Sequence, residues 1–257
     1  MLELKGIYKN YNAGSVNEMC LFDDFNLTIP DGQFVSVVGS NGSGKTSMLN
    51  VICGSIPVDK GQILVDGTDI TAQKDYVRQR VIGRVYQDPS KGTCPSMNIL
   101  ENMSIADNKG KPFGITAGIN RSKVNYYKEM LSTLGLGLED KLYTQVGSLS
   151  GGQRQALALL MSTMTPIRFL ILDEHTAALD PKTADIIMQL TDRIVHEKKV
   201  TTIMVTHNLR YAFEYGDRLL MMHEGRAIVD KEGQDKTKMD PEKIMHIFNE
   251  ISIECGN

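Results

Sequence analysis

The stretch "QFVSVVGSNGSGKT", Gln33 to Thr46, limits the fold more than any other part of the chain. Four apolar residues of β type lead into it, and three glycines alternate with Ser and Asn before Lys45 and Thr46. Gly39 to Thr46 matches G-x-x-x-x-G-K-[ST]. Its setting matches too: a buried strand before it and a helix expected from about Gly44 to Cys53. The glycines permit positive φ, so backbone N–H groups can curl around an anion. Lys45 adds a point charge, the Thr46 hydroxyl is placed to ligate Mg²⁺, and the helix N-terminus adds its dipole. The expected phosphate cradle is therefore Gly39, Ser40, Asn41, Gly42, Ser43, Gly44, Lys45, Thr46 and Ser47.

The rest of the chain carries an α/β rhythm. "LELKGIYKNY" and "LFDDFNLTIP" read as β, followed by the turn "PDG". "GQILVDG" and "RVIGRVYQ" read as two more strands. From Asp88 to about Thr165 the texture changes: an irregular start, "DPSKGTCPSMNILENMSI", then the helical "RSKVNYYKEMLSTLGL" with Val124, Tyr127, Met130, Leu131 and Leu134 on one face. Strand and helix then alternate again. "RFLILD" is a strand and "PKTADIIMQLTDRIVHEK" a helix with Ile187, Leu190 and Ile194 on one stripe. "VTTIMVTH" is a strand, "NLRYAFEYG" a helix closed by Gly216, and "DRLLMMHEGRAIV" a hairpin turning at Glu224-Gly225. Such alternation implies a mainly parallel sheet covered on both faces. One domain spans residues 1–230, with a helical insertion at 88–165. The polar tail, 231–257, has one short apolar stretch, "IMHIF", and is too short for a second domain.

Composition excludes several classes. At 257 residues and 41% hydrophobic the chain can bury a sizeable core. A net charge of −3 gives no basic excess for nucleic acid. No apolar run reaches membrane-span length, and "MLELKGIYKN" lacks the apolar core of a secretory signal. Cys20, Cys53, Cys94 and Cys255 are scattered without a C-x-x-C pair, which fits a reducing compartment and neither metal nor disulfides.

Polar residues at the ends of apolar strands supply the remaining chemistry, since open α/β sheets bind ligands there. "FLILDE" places Asp173 to hold Mg²⁺ and Glu174 to orient an attacking water. Gln87, at the end of "RVYQ", can reach Mg²⁺ or that water. His207, after "IMVT", can contact a γ-phosphate. A second helix N-terminus suited to anions begins at "SLSGGQRQ", where Ser150 offers a hydroxyl and Gly151 and Gly152 offer backbone N–H groups.

Together these pieces resemble the ABC transporter ATPase family. "GSNGSGKT" looks like its Walker A motif, Gln87 its Q-loop, "LSGGQ" its signature, "FLILDE" its Walker B motif, "AALD" to Asp180 its D-loop and His207 its switch histidine. Order and spacing agree over about residues 1–230. The resemblance implies a P-loop core with an N-terminal antiparallel β subdomain and a helical subdomain. ATP and Mg²⁺ are the implied cofactors, with Tyr11 stacked on adenine. It also implies a head-to-tail dimer, in which Ser150, Gly151, Gly152 and Gln153 of one copy face the γ-phosphate held by the other. The second subunit is another copy or a related ATPase. Permease subunits, gripped through the helical insertion near "GTCPSMNIL", and an extracytoplasmic binding protein complete the implied assembly at the cytoplasmic face of the membrane.

Some positions depart from the family pattern. His175 and Ala177 stand where Pro and Ser are usual, and "RQALALLMSTM" lacks the usual arginines, with Met161 at one such place. Together with "QDPSKGTCPSMNILENM" and "MMHEGRAIVD", these departures resemble ATPases of bacterial importers that use a lipoprotein-type binding protein, which implies a small solute such as an amino acid as cargo, of aromatic type in some such systems. Two alternatives are an exporter ATPase and a soluble ABC ATPase of the Fe–S assembly type. A P-loop kinase or GTPase would need an acceptor lid or an N-K-x-D, and neither is visible.

Overall fold

A computed structural model describes residues 1–12, 14–111 and 118–254, leaving aside the side chains of 249 and 251–254. Cys255 lies outside the described residues. The chain forms two compact units, Met1–Gln79 with Lys199–Asn257, and Arg80–Lys198.

The first unit begins with strands β1 (Leu2–Tyr11) and β2 (Met19–Ile29), then β3 (Phe34–Gly39) and helix α1 (Lys45–Cys53). Strands β4 (Lys60–Val65) and β5 (Thr68–Asp69) and the short helix α2 (Asp75–Arg78) follow. β1 pairs antiparallel with β2 and β4, Leu2 lying opposite Ile29 and Val65. The alternation of β1 explains its one-sided burial: Leu2 and Leu4 point into the core while Lys5 is exposed. Arg78 is buried and closes the far end of α1, its Nη1 donating to the Val51 and Ile52 carbonyls at 2.9 and 3.1 Å. Those carbonyls are among the acceptors that a helix C-terminus leaves open.

The second unit contains β6 (Ile82–Val85), α3 (Ile99–Asp107), α4 (Val124–Ser132), α5 (Gly151–Ser162), β7 (Phe169–Asp173) and α6 (Pro181–Lys198). β6 and β7 run parallel, Ile82 opposite Phe169 and Val85 opposite Leu172. α3 begins inside the stretch expected to be irregular. Asn98 caps it by accepting from Glu101 N, and the Glu101 carboxylate accepts from Asn98 N, completing a capping box. α4 follows the expected face in part: Tyr127, Leu131 and Leu134 are buried, whereas Val124 and Met130 are half-buried.

The chain then returns to the first unit with β8 (Thr201–Val205), α7 (Leu209–Glu214), β9 (Arg218–His223), β10 (Arg226–Glu232), α8 (Gly233–Thr237) and α9 (Pro241–Glu254). β3 is hydrogen-bonded in parallel on both edges, Val35 lying opposite Ile203 of β8 and Arg218 of β9. All six of its residues are buried, as expected of a parallel strand covered on both faces. β10 pairs antiparallel with β9 across the expected hairpin. Glu224 and Gly225 both have positive φ, 44° and 72°, as a type I′ turn requires.

The tail is structured and belongs to this unit. Ile244 of α9 is buried with Val38, Ala212, Leu219 and Met221, and Ile247 and Phe248 pack against that cluster. Three apolar residues at helical spacing thus dock a polar tail. Among the described residues no helix is long and apolar enough to cross a membrane. Replacing Ile244 with Ala should cost about 2 kcal/mol. Urea unfolding of the full chain should show this as a lower midpoint at unchanged slope.

Candidate functional site

In the first unit, β3 ends at Gly39 and the chain turns into α1 through five residues. Gly39 has φ 153°, and a Cβ there would stand 2.2 Å from the Met222 carbonyl oxygen and 2.8 Å from Ser43 Oγ. Gly44 stands at the N-cap of α1 at φ 99° and has no side chain with which to cap it. A glycine N-cap leaves room at the helix start, which suits an external anion. Lys45 is only 5% exposed, and its Nζ donates to the Gly39 and Ser40 carbonyls, each at 2.8 Å. The ammonium is held inside the loop, while Asn41, Gly42 and Thr46 are exposed and Ser47 is half-buried. The loop rests on the β9–β10 turn: Gly225 N donates to the Ser43 carbonyl at 3.0 Å. Gly225 itself passes close beneath β2, since a Cβ would meet the Leu21 carbonyl oxygen at 1.6 Å.

His207 is exposed and lies two residues beyond β8, which ends at Val205 rather than at the histidine. The chain there is shaped by its neighbours. Asn208 N donates to Thr206 Oγ1 at 3.0 Å, and Asn208 caps α7 by accepting from Tyr211 N at 3.3 Å. Tyr11 ends β1 opposite Met19, half-buried, with Lys9 Nζ 5.8 Å from its ring centroid. Lys9 also meets Asp59 at 2.9 Å. The Asp59 carboxyl is held below its usual range, first by the Asn10 N–H and then by Lys9.

In the second unit, Asp173 is the last residue of β7 and Glu174 follows with φ 51°. Positive φ in a non-glycine residue is uncommon and is tolerated where the surroundings fix it. His175 supplies part of that fixation. It is buried at 2% exposure, and its Nε2 lies 3.2 Å from Thr191 Oγ1 on α6. Thr191 gives its own hydroxyl proton to the Ile187 carbonyl at 2.8 Å, so the ring N–H is the donor to Thr191. Burial pushes the His175 pKa down to about 4, and the imidazole is neutral.

Gln87 is exposed and lies two residues past β6, which ends at Val85 instead of continuing to the glutamine. The residue before it is anchored: Gln155 Nε2 of α5 donates to the Tyr86 carbonyl at 3.0 Å. Ser150 caps α5 in a capping box with Gln153, at 3.2 and 3.3 Å, and Gln153 Nε2 also donates to the Leu136 carbonyl. Ser150 is exposed. Gly152 has a further role besides offering an N–H: a Cβ there would stand 2.3 Å from Thr183 Cγ2, so glycine lets α5 approach α6. Asp180 is exposed and accepts from Thr183 N at 3.1 Å, and its carboxyl is held low by the Thr183 hydroxyl and N–H.

Sequence reasoning missed Arg84, Gln155, Thr191 and Gly225. Gly225 was legible as a turn glycine but not as a support for the loop at Ser43. Arg84 Nη2 lies 2.8 Å from Asp173 Oδ2, a contact between residues far apart in sequence.

A glycine-lined loop between a buried parallel strand and an uncapped helix defines a P-loop nucleotide-binding α/β protein. The ABC transporter family model matches residues 22–177. A tyrosine transport ATP-binding protein of Clostridioides difficile (strain R20291) is 45% identical over 96% of this chain and 98% of its own length. A methionine import ATP-binding protein of Pseudomonas putida (strain KT2440) is 32% identical over 89% of this chain, which spans 66% of that protein. A dimeric ATP-binding cassette solved in a post-hydrolysis state with ADP and Pi superposes with a TM-score of 0.75, at 30% identity over 90% of this chain and 98% of that one. The chain belongs to the ABC transporter family, as its ATP-binding, ATP-hydrolysing subunit.

The His175 geometry makes a pH prediction. A folded pKa of about 4, below the ordinary 6.5, means that the unfolded chain takes up the proton first as pH falls. The histidine's contribution should be complete above pH 6.5 and shrink by up to about 1.4 kcal/mol per pH unit toward pH 4. Denaturant titrations of wild type and His175→Gln across that window should show the extra slope in wild type alone.

Proposed function

We propose that this chain is the energy-coupling ATPase of an importer for a small solute, an amino acid with an aromatic side chain being the cargo that fits best. The observation that carries this reading is the 45% identity, over nearly the whole of both chains, to a tyrosine transport ATP-binding protein. Import ATP-binding proteins for methionine and phosphonates among the relatives support the direction of transport. The domain reading is a single ABC ATPase over residues 1–230 with a helical part at 88–165, followed by the tail 231–257.

In this reading Gly39–Ser47 hold the phosphates of ATP, with Lys45 supplying the charge, and Tyr11 stacks on the base. The Thr46 hydroxyl, Asp173 and Gln87 offer oxygens, the donor type that Mg²⁺ requires. Glu174 accepts a proton-bearing hydrogen bond from the attacking water and orients it, and His207 contacts the γ-phosphate. When bound, Mg²⁺ neutralises charge that develops on the phosphates. Two copies close head to tail, so that Ser150, Gly151, Gly152 and Gln153 of one reach the phosphate held by its partner, with Asp180 at the same seam. The exposed Ser150 hydroxyl supports this arrangement. Closure drives a membrane permease at its cytoplasmic face, and an extracytoplasmic binding protein delivers cargo. Met97, exposed in "GTCPSMNIL", supports a contact surface for the permease there.

Glu174→Gln should retain ATP and lower turnover by roughly 10²-fold or more. A dimer trapped with ATP should accumulate on size exclusion, and near-normal turnover would falsify Glu174 as the catalytic carboxylate. Gentle solubilisation and pull-down of the tagged protein from its host should recover a multi-span permease and an exported binding protein. Recovery of a soluble scaffold alone would overturn the transport reading.

A further inference from the structure

In the second unit Arg84 stands in the middle of β6, opposite Ile171 of β7. From there its guanidinium reaches the carboxylate at the end of β7, Nη2 lying 2.8 Å from Asp173 Oδ2. The two side chains are 7% and 15% exposed, so the pair is largely withdrawn from water. The guanidinium carbon also lies 4.7 Å from the centroid of the Tyr86 ring, a stacking distance. The Tyr86 backbone is tied in turn to α5 by Gln155. A planar cation is thus held by a carboxylate and an aromatic face on a rigid strand, an arrangement for which arginine is suited and lysine is not.

A carboxylate that receives a divalent ion must point where the ion will sit, and a short, largely buried contact to a fixed guanidinium sets that direction. Once the ion is present, an additional positive charge a few ångströms away repels it. One carboxylate therefore faces two cations that compensate it in turn. We propose that Arg84 is a positioning residue that acts as the interim counter-cation of Asp173, holding the carboxylate in place and giving it up to the divalent ion. This rests on the reading of Asp173 as the metal carboxylate. Arg84 thereby sets how tightly the metal is held, and so how readily it leaves after each turnover.

The test uses the full chain saturated with ADP, so that hydrolysis plays no part, and Mn²⁺ as the probe. Free Mn²⁺ is read by electron paramagnetic resonance, and thermal midpoints are taken with and without metal. Arg84→Met should lower the metal-free midpoint, enlarge the rise that Mn²⁺ produces, and tighten Mn²⁺ binding by about tenfold. If that variant does not fold, Arg84→Lys carries the test. It keeps the charge without the planar stack, holds Asp173 less firmly, and should tighten Mn²⁺ by about two- to threefold. Asp173→Asn separates the two readings. If it binds Mn²⁺ as wild type does, Asp173 is not a metal carboxylate and the proposal falls with that reading. If it loses Mn²⁺ while the Arg84 variants bind the ion no tighter than wild type, Arg84 is merely structural and the proposal alone is overturned.

Discussion

The two-sided hydrogen bonding of β3 is the constraint on which the first unit depends. β8 and β9 flank it in parallel, and every one of its residues is buried. A strand so fixed cannot shift register without moving both neighbours, so the place where it ends is fixed too. The loop from Gly39 to Lys45 inherits that precision. Its backbone leaves the strand where a Cβ would strike Met222, and it settles onto the turn at Gly225. Phosphate recognition by backbone N–H groups demands such placement, because the donors cannot adjust by rotating a side chain.

A different kind of constraint governs the second unit. Its chemistry-bearing positions are held by buried polar contacts: Arg84 on Asp173, His175 on Thr191, Gln155 on the Tyr86 carbonyl. Contacts of this type are directional. They make the positions of Glu174 and Gln87 depend on neighbouring side chains. His175, a departure from the family pattern, fits this logic. Where Pro restricts the backbone covalently, an imidazole anchored to α6 restricts it through a hydrogen bond.

Local signals were the ones the sequence made legible. The loop from Gly39 to Lys45, the helix start at Ser150 and the buried strands each announce themselves within a dozen residues, although β6 and β8 stop two residues earlier than expected. The start of α3 was equally local, since Asn98 and Glu101 have capping-box spacing, but the irregular residues before it hid the pattern. The docking of α9 was harder to read, because Ile244, Ile247 and Phe248 are sparse in a polar tail and their partners come from β3, α7 and β9. Arg84 was out of reach altogether. Its pairing depends on the register of two parallel strands about ninety residues apart, and a shift of one residue would turn its side chain to the other face. Gln87 and His207 were expected to end their strands, but each lies on the loop two residues beyond.

The close seat of Gly152 against Thr183 has a mechanical consequence. Ser150 opens α5, and Asp180 immediately precedes α6 and binds the backbone of that same Thr183. Two helices packed at glycine distance cannot slide past each other by small steps. The signature serine and the aspartate of "AALD" are therefore the tips of one stiff plate. Whatever displaces one displaces the other in the same direction.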